Sequence, residues 1–362
     1  LATNALALAG GAIRDAALND AILALPALGT AGSIGGSKNI VIDGDVPAIT
    51  DVTATTADGS YKAGDVITIT LKASEAITIT GAPTLLLETG ATDHAATYVS
   101  GSGTDTLVFS YTVQPGDSTV DLDYASAGAL SLNGGTAQDA GGNNLFLGLP
   151  APGAAHSLGG NKAIVIDTAA PTALLVTSPD ADATYKAGDV ITVQVVFTET
   201  VNVAGGTPTL QLETGAADRL ATYSGGSGTN TLSFTYTVQP GDQTADLNQL
   251  ATGSLALAGA TIQDAAGNDA ALTLPALNSA DALAGNKDLV IDGAAPSVGN
   301  VTSPTANGAY KAGDTVLITV QLSETVVVAG GTPTLLLETG ATDRSATYVS
   351  GSGSDTLVFS YT

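Results

Sequence analysis

The sequence predicts an all-β chain built of repeated sandwich domains, on the strength of two observations: short runs in which apolar and polar residues alternate, and a repeat of about 125 residues. The string Tyr61-Lys62-Ala63-Gly64-Asp65 returns as Tyr185 to Asp189 and as Tyr310 to Asp314. A unit of that length closes its own core, so the repeat marks domains and not the rungs of a solenoid.

Setting the copies in register gives the organisation. Two full repeats are expected at residues 45–168 and 169–293, with the C-terminal part of a repeat at 1–44 and the N-terminal part of another at 294–362. Leu1 then matches Leu250 and Thr362 matches Thr237. Two expectations compete here. Either these residues belong to a longer repetitive polypeptide, or the C-terminal part-domain of one subunit is completed by the N-terminal part-domain of the next, giving a head-to-tail polymer.

Within a repeat the strands can be assigned in order. Ile191, Val193, Val195 and Phe197 fall on one face of the run 189–198, and Thr192, Gln194, Val196 and Thr198 on the other; Ile67, Ile69 and Leu71 repeat the pattern. This strand is expected to end at Ser74-Glu75, Thr198-Glu199 and Ser323-Glu324. A second strong strand is predicted over 106–113, with Leu107, Phe109, Tyr111 and Val113 facing in. It lies between the Gly/Ser turn at 100–105 and the Pro-Gly-Asp turn at 115–117. Shorter β-prone runs are 84–88, 95–99, 119–123 and 163–167. The Ala/Leu-rich stretch 16–28 has helical propensity, but its counterparts carry Gly and Asn where a helix would have to continue. About seven to nine short strands per repeat imply an immunoglobulin-type β-sandwich.

Composition excludes several functions. A net charge of −24 and a pI near 4.1 disfavour nucleic acid and anionic membrane, which call for clustered Lys and Arg. The absence of cysteine excludes disulfides and thiol chemistry. With 44% hydrophobic residues arranged in alternation, the chain can bury enough surface to offset its conformational entropy, so it is expected to fold. No apolar run is long enough to span a membrane as a helix.

The order of motifs resembles a known family. Y-K-A-G-D is followed by a strand ending in Ser/Thr-Glu, then Asp-Ala-x-Gly-Asn (139–143 and 264–268), then I-V-I-D or L-V-I-D, a small-residue linker and Pro. This order resembles the tandem bacterial Ig-like repeats of large surface proteins, of the S-layer and giant adhesin type. In residues 1–44 the pattern departs: Leu18 stands where the turn has Gly, which puts a positive-φ turn in question there. The resemblance implies an extracellular or cell-surface structural role, often with Ca²⁺ within or between modules.

A calcium argument also follows from the residues. In such a sandwich Asp167, Glu199 and Asp264 are expected at one pole, with Asp43, Glu75 and Asp139 as their counterparts and Asp292 and Glu324 as the partial set in the last repeat. Clustered carboxylates suit a hard cation that takes six to eight oxygens. The competing reading is that the Asp residues make Asx turns and the Glu residues are solvated. No contiguous EF-hand-type loop is present.

Catalysis is not expected. His94 is replaced by Arg219 and Arg344 in the other repeats and His156 by Asp281, as suits exposed loop residues. The Gly-Ser-Gly segments read as hairpin turns and not as phosphate loops. Tyr98, Tyr223 and Tyr348 either pack on their sheets or form an aromatic strip for sugars. The expected function is therefore a non-enzymatic stalk, filament or surface layer whose partners are neighbouring copies of the repeat. The alternatives are a glycan- or protein-binding module and an accessory region of a secreted hydrolase.

Overall fold

The alternating runs form strands. In a computed structural model describing residues 1–362, the chain is all-β, with three helices of four residues each. It divides into two compact units, Leu1–Ala169 with Ala265–Asn268, and Ala170–Asp264 with Asp269–Thr362.

In unit 1, residues 1–44 carry turns, one isolated bridge between Arg14 and Asp20, and helix α1 (Ile34–Ser37), but no strand. The stretch 16–28 is not helical. The strands that follow are β1 (Ile49–Ala54), β2 (Gly59–Tyr61), β3 (Val66–Thr80), β4 (Thr84–Glu88), β5 (His94–Ser100) and β6 (Thr104–Thr112). Next come β7 (Ser118–Thr119), β8 (Asp123–Tyr124), β9 (Leu130–Ser131), β10 (Thr136–Gln138), helix α2 (Leu158–Asn161) and β11 (Ile164–Asp167). One sheet runs β1-β3-β6-β5-β4-β8, with β9 on β4 and β10 on β3, and a second runs β2-β11-β7. The pairing is antiparallel except between β2 and β11, which lie parallel. A single apolar cluster draws on both sheets: Ile67, Ile69, Leu71, Leu107 and Phe109 from the first meet Ile164 and Ile166 from the second. Fully burying each such side chain stabilises the fold by about 1.5–3 kcal/mol before entropy is charged against it.

The repeated motifs prove to be turn chemistry. In Y-K-A-G-D, Gly64 takes a positive φ and the Asp65 carboxylate accepts the Lys62 N–H at 2.9 Å, while the Tyr61 hydroxyl donates to the Ala57 carbonyl at 2.7 Å. The same two bonds recur at Lys186–Asp189 and Tyr185–Ala181, and at Lys311–Asp314 and Tyr310–Ala306. The Gly-Ser-Gly segment closes the β5–β6 hairpin, as expected. Gly101 has φ +110°, and a Cβ there would lie 2.1 Å from the Thr106 carbonyl oxygen, so no other residue fits.

Two expectations about elements are corrected. β3 does not stop at Ser74-Glu75 but continues to Thr80. Its register with β6 shifts between Lys72 and Ile77, and beyond the shift Thr78–Thr80 pair with β10. A bulge thus lets one strand serve two ladders, and Glu75 sits at the irregularity instead of at a strand end. The run 119–123 yields only the ends of β7 and β8, because Leu122 between them turns into the core while Val120 faces solvent.

Unit 2 repeats the order: β12 (Ala173–Thr177), β13 (Ala183–Lys186), β14 (Val190–Ala204), β15 (Thr209–Glu213), β16 (Arg219–Gly225) and β17 (Thr229–Thr237). Then follow β18 (Gln243–Thr244), β19 (Asn248–Gln249), β20 (Leu255–Ala256), β21 (Thr261–Gln263), helix α3 (Leu283–Asn286) and β22 (Leu289–Asp292). The inward residues foreseen for this repeat, Ile191, Val193, Val195 and Phe197, are all buried. The unit also holds a five-stranded sheet of β23 (Val298–Thr302), β24 (Val316–Val326), β25 (Thr334–Leu337), β26 (Arg344–Ser350) and β27 (Ser354–Tyr361), in the order β23-β24-β27-β26-β25. No helix is long and apolar enough to cross a membrane.

Candidate metal centre

The bulge in β3 brings Glu75 against two aspartates. One carboxylate oxygen from each of Asp43, Glu75 and Asp139 lies within 4.8 Å of the others, with Asp139 buried and the other two half-buried. Asp139 follows β10 directly and is fixed by its own loop: Oδ1 accepts the Asn143 N–H and Oδ2 the Asn143 side-chain amide, both at 2.8 Å. That amide also donates to the Asp43 main-chain oxygen at 3.3 Å, tying the two aspartates together. The Asx-turn reading and the cluster are therefore both present. Asn143 bonds once to each Asp139 oxygen, and the N–H groups of Gly141 and Gly142 also face this carboxylate.

The electrostatics reflect three anions at close range. The Glu75 carboxyl is pushed above the ordinary glutamate range, first by desolvation and then by the charges of Asp43, Asp139 and Asp45. Burial acts in the same direction on Asp139, but the Asn143 side-chain and backbone donors, with the N–H groups of Gly141 and Gly142, outweigh it and hold that carboxyl low. Three carboxylate oxygens this close form a donor set for a hard divalent cation, with water completing the six to eight oxygens.

The remaining predicted ligands are placed as follows. Asp167 ends β11, and its Oδ1 accepts the Ala169 N–H at 3.0 Å. In unit 2, Glu199 lies within β14 and not at its end, Asp264 follows β21, and their carboxylate oxygens are within 4.8 Å of each other. Asp292 ends β22 and accepts the Ala294 N–H at 3.3 Å, and Glu324 lies in β24; neither joins a cluster of three acidic groups. Asp15, the counterpart of Asp139 in residues 1–44, makes the same Asn-capped loop through Asn19 but belongs to no cluster of three acidic groups. That loop keeps a positive φ of 70° at Leu18, so the turn forms without its glycine.

Sequence reasoning missed a second polar site. His94 is not a bare loop residue: it opens β5 and its Nδ1 lies 2.9 Å from Oδ1 of the buried Asp117. Tyr111 donates to the other oxygen of Asp117, which also accepts the Gln114 N–H at 2.7 Å. In unit 2, Arg219 takes the place of His94 at 2.9 Å from Asp242, with Tyr236 donating at 2.5 Å and Gln239 N–H at 2.9 Å. The available signal was the pairing of a basic residue, His94 or Arg219, with the Pro-Gly-Asp that stands at both 115–117 and 240–242. His156 follows the expectation better, exposed and 3.0 Å from Asp51.

The tyrosines pack. Tyr98, Tyr223 and Tyr348 stand edge-on to Phe109, Phe234 and Phe359, with ring centroids 5.7, 6.0 and 6.0 Å apart. The hydroxyls of Tyr223 and Tyr348 accept the N–H of Ser227 and Ser352. No buried side-chain nitrogen or oxygen in the chain lacks a hydrogen-bond partner. No protein-family model and no curated protein sequence matches the chain.

Proposed function

We propose that the chain is a non-enzymatic structural region of tandem immunoglobulin-like repeats from a large extracellular or cell-surface bacterial protein, and that Asp43, Glu75 and Asp139 bind Ca²⁺. One observation carries this reading. The recurrent polar residues, Tyr61, Asp65, Asp117 and Asn143 with their counterparts, serve to hold turns, which leaves the acidic triad as the one recurrent polar grouping suited to a cation. A structural module needs such turns and gains rigidity from a cation that binds only the closed loop arrangement. Two sequence elements separated by long stretches of chain supply Asp43 and Asp139 while the β3 bulge supplies Glu75, so an ion there would cross-link the start of the repeat to its strands.

The test is calorimetric titration of the intact chain with CaCl₂, alongside thermal melts with and without chelator. Binding in the submillimolar to millimolar range typical of extracellular modules is expected, together with a chelator-sensitive melting temperature and loss of both effects in Glu75→Gln. Titration without heat, with superimposable melts, would remove the cation from the proposal.

A further inference from the structure

The same polar groove lies on the solvent side of both full repeats. In unit 2 it runs over β16 and β17, where Arg219, Leu220, Thr222, Thr235 and Gln239 border a space of about 360 Å³, within the range that small-molecule sites occupy. In unit 1 the space over β5 and β6 is about 260 Å³, and His94, Thr97, Ser110 and Gln114 hold the matching positions. Every position that borders one groove borders the other, and both lie away from residues 1–44 and 294–362.

Arg219 is the informative residue. The chain holds three arginines against a net charge of −24, and two of the three, Arg219 and Arg344, stand at this one position of successive repeats. Arg219 is also held in place: its Nε and Nη2 both lie 2.9 Å from Oδ1 of Asp242, whose side chain is 2% exposed. That contact engages two of the five guanidinium N–H groups and leaves three for the groove. Thr222 and Thr235 pair across the strands, and their hydroxyls have no hydrogen-bond partner within the protein. Gln239 donates its side-chain amide to the Thr237 carbonyl at 2.8 Å, which keeps its Oε1 as an acceptor. Leu220, 58% exposed, supplies an apolar flank.

We infer that the groove over β16 and β17 binds a saccharide carrying a carboxylate on its sugar ring. Arg219 donates to the carboxylate, for which a guanidinium fork is the matched partner. Thr222, Thr235 and Gln239 meet the ring hydroxyls as donors and acceptor, and Leu220 lies along the C–H face. An extended peptide is disfavoured, because β16 and β17 are each flanked by paired strands on both sides and offer no free edge for a further strand. Densely sulfated or phosphorylated polymers are disfavoured too: the guanidinium shares its charge with Asp242, and a chain of net charge −24 repels them. In unit 1 the His94 Nδ1 faces Asp117, so the ring has one nitrogen to offer where Arg219 has three N–H groups, and this groove binds more weakly. The inference goes beyond the proposed function and is independent of the cation.

Amide NMR of the intact, isotope-labelled chain is the test, in buffer stripped of divalent ions so that cation binding is not read. The probes are methyl glucuronide and methyl N-acetylneuraminate, with methyl glucoside, acetate, sulfate and a short acidic peptide as controls. Resonances of β16 and β17 should shift with a Kd of about 1 mM, as expected for a small ligand in an open groove. Whichever of the two acidic sugars shifts them at the lower concentration identifies the ring. Arg219→Gln should weaken binding by about 10-fold or more and Thr222→Val by about 3-fold, while His94→Arg should bring the unit 1 groove up to the affinity of unit 2. Arg219→Gln also takes a partner from Asp242, so Thr222→Val is the cleaner variant: its hydroxyl bonds to nothing in the protein, and its melting temperature should not move. Absence of shifts at about ten times the expected Kd overturns the inference. So does binding indifferent to Arg219→Gln and Thr222→Val, or binding in which any control matches the acidic sugars. The calcium titration is unaffected by either result.

Discussion

Replacing Asp242 by alanine should cost unit 2 about 2–4 kcal/mol, nearly all from two donors left without an acceptor. The carboxylate is buried and accepts from Tyr236, Gln239 and Arg219. Tyr236 is buried, so orphaning its hydroxyl costs about 1–3 kcal/mol. The Gln239 N–H closes the Pro-Gly-Asp turn, and losing its acceptor adds about 1 kcal/mol. Arg219 is partly solvent-exposed and can turn to water, so the ion pair adds little. For a unit of this size the total corresponds to a fall of roughly 4–16 °C in its melting temperature. Differential scanning calorimetry of Asp242→Ala beside Tyr236→Phe checks this. The Phe variant removes the donor that would be orphaned and should cost less than half as much. A loss below about 1 kcal/mol for Asp242→Ala, or equal losses in both variants, would refute the reasoning that an unsatisfied hydroxyl dominates.

Other outcomes follow from the same geometry. Burial would raise the Asp242 carboxyl, but Tyr236, Arg219 and Gln239 outweigh it and hold it below the ordinary aspartate value of 3.8. Its contribution should therefore be intact above that value and lost as pH falls through the lower folded-state pKa, which urea melts of unit 2 at graded acidic pH would follow. Glu75 has the opposite sign: its carboxyl is raised above 4.5, so in chelator the triad should favour the fold below that pH and oppose it as pH rises through the folded-state pKa. Glu75→Gln should accordingly raise the melting temperature in chelator at neutral pH yet lower it relative to the parent in CaCl₂, a crossing of the two melts that a purely solvated glutamate would not give. Gly101→Ala should cost about 2–4 kcal/mol by equilibrium denaturation, because the positive φ and the Thr106 carbonyl both oppose a Cβ; Gly103→Ala, with open space around it, should cost less.

Much of this was legible in the residues because period-two alternation depends only on which face is wet. Leu107, Phe109, Tyr111 and Val113 were assigned inward on that ground and all are buried. Glu75 was misplaced because a bulge leaves no mark in the alternation: Ala73 and Ile77 face inward on either side of it, as they would in a regular strand. The His94–Asp117 contact was hidden for a different reason. It joins two strand ends through a sheet register, and His and Arg look like unrelated surface substitutions until both are seen to cap the same buried carboxylate. The short helices are four residues long, too little chain for periodicity to register. The gathering of Asp43, Glu75 and Asp139 was expected from strand order alone, but the opposite pKa directions of Glu75 and Asp139 depend on donors such as Asn143 that only the folded loop supplies.

The parallel pairing of β2 with β11 has a mechanical consequence. β2 lies near the start of its repeat and β11 near the end, and they run in the same direction, in register from Gly59–Ile164 to Tyr61–Ile166. Once β1 has yielded, tension along the chain enters β2 at its N-terminal end and leaves β11 at its C-terminal end. The two strands are then dragged past each other lengthwise, and the bonds between them share the load instead of opening one after another as a zipper does. The same clamp recurs where β13 meets β22, over four residue pairs. A chain pulled end to end is therefore expected to yield at this clamp by shear and not by unzipping.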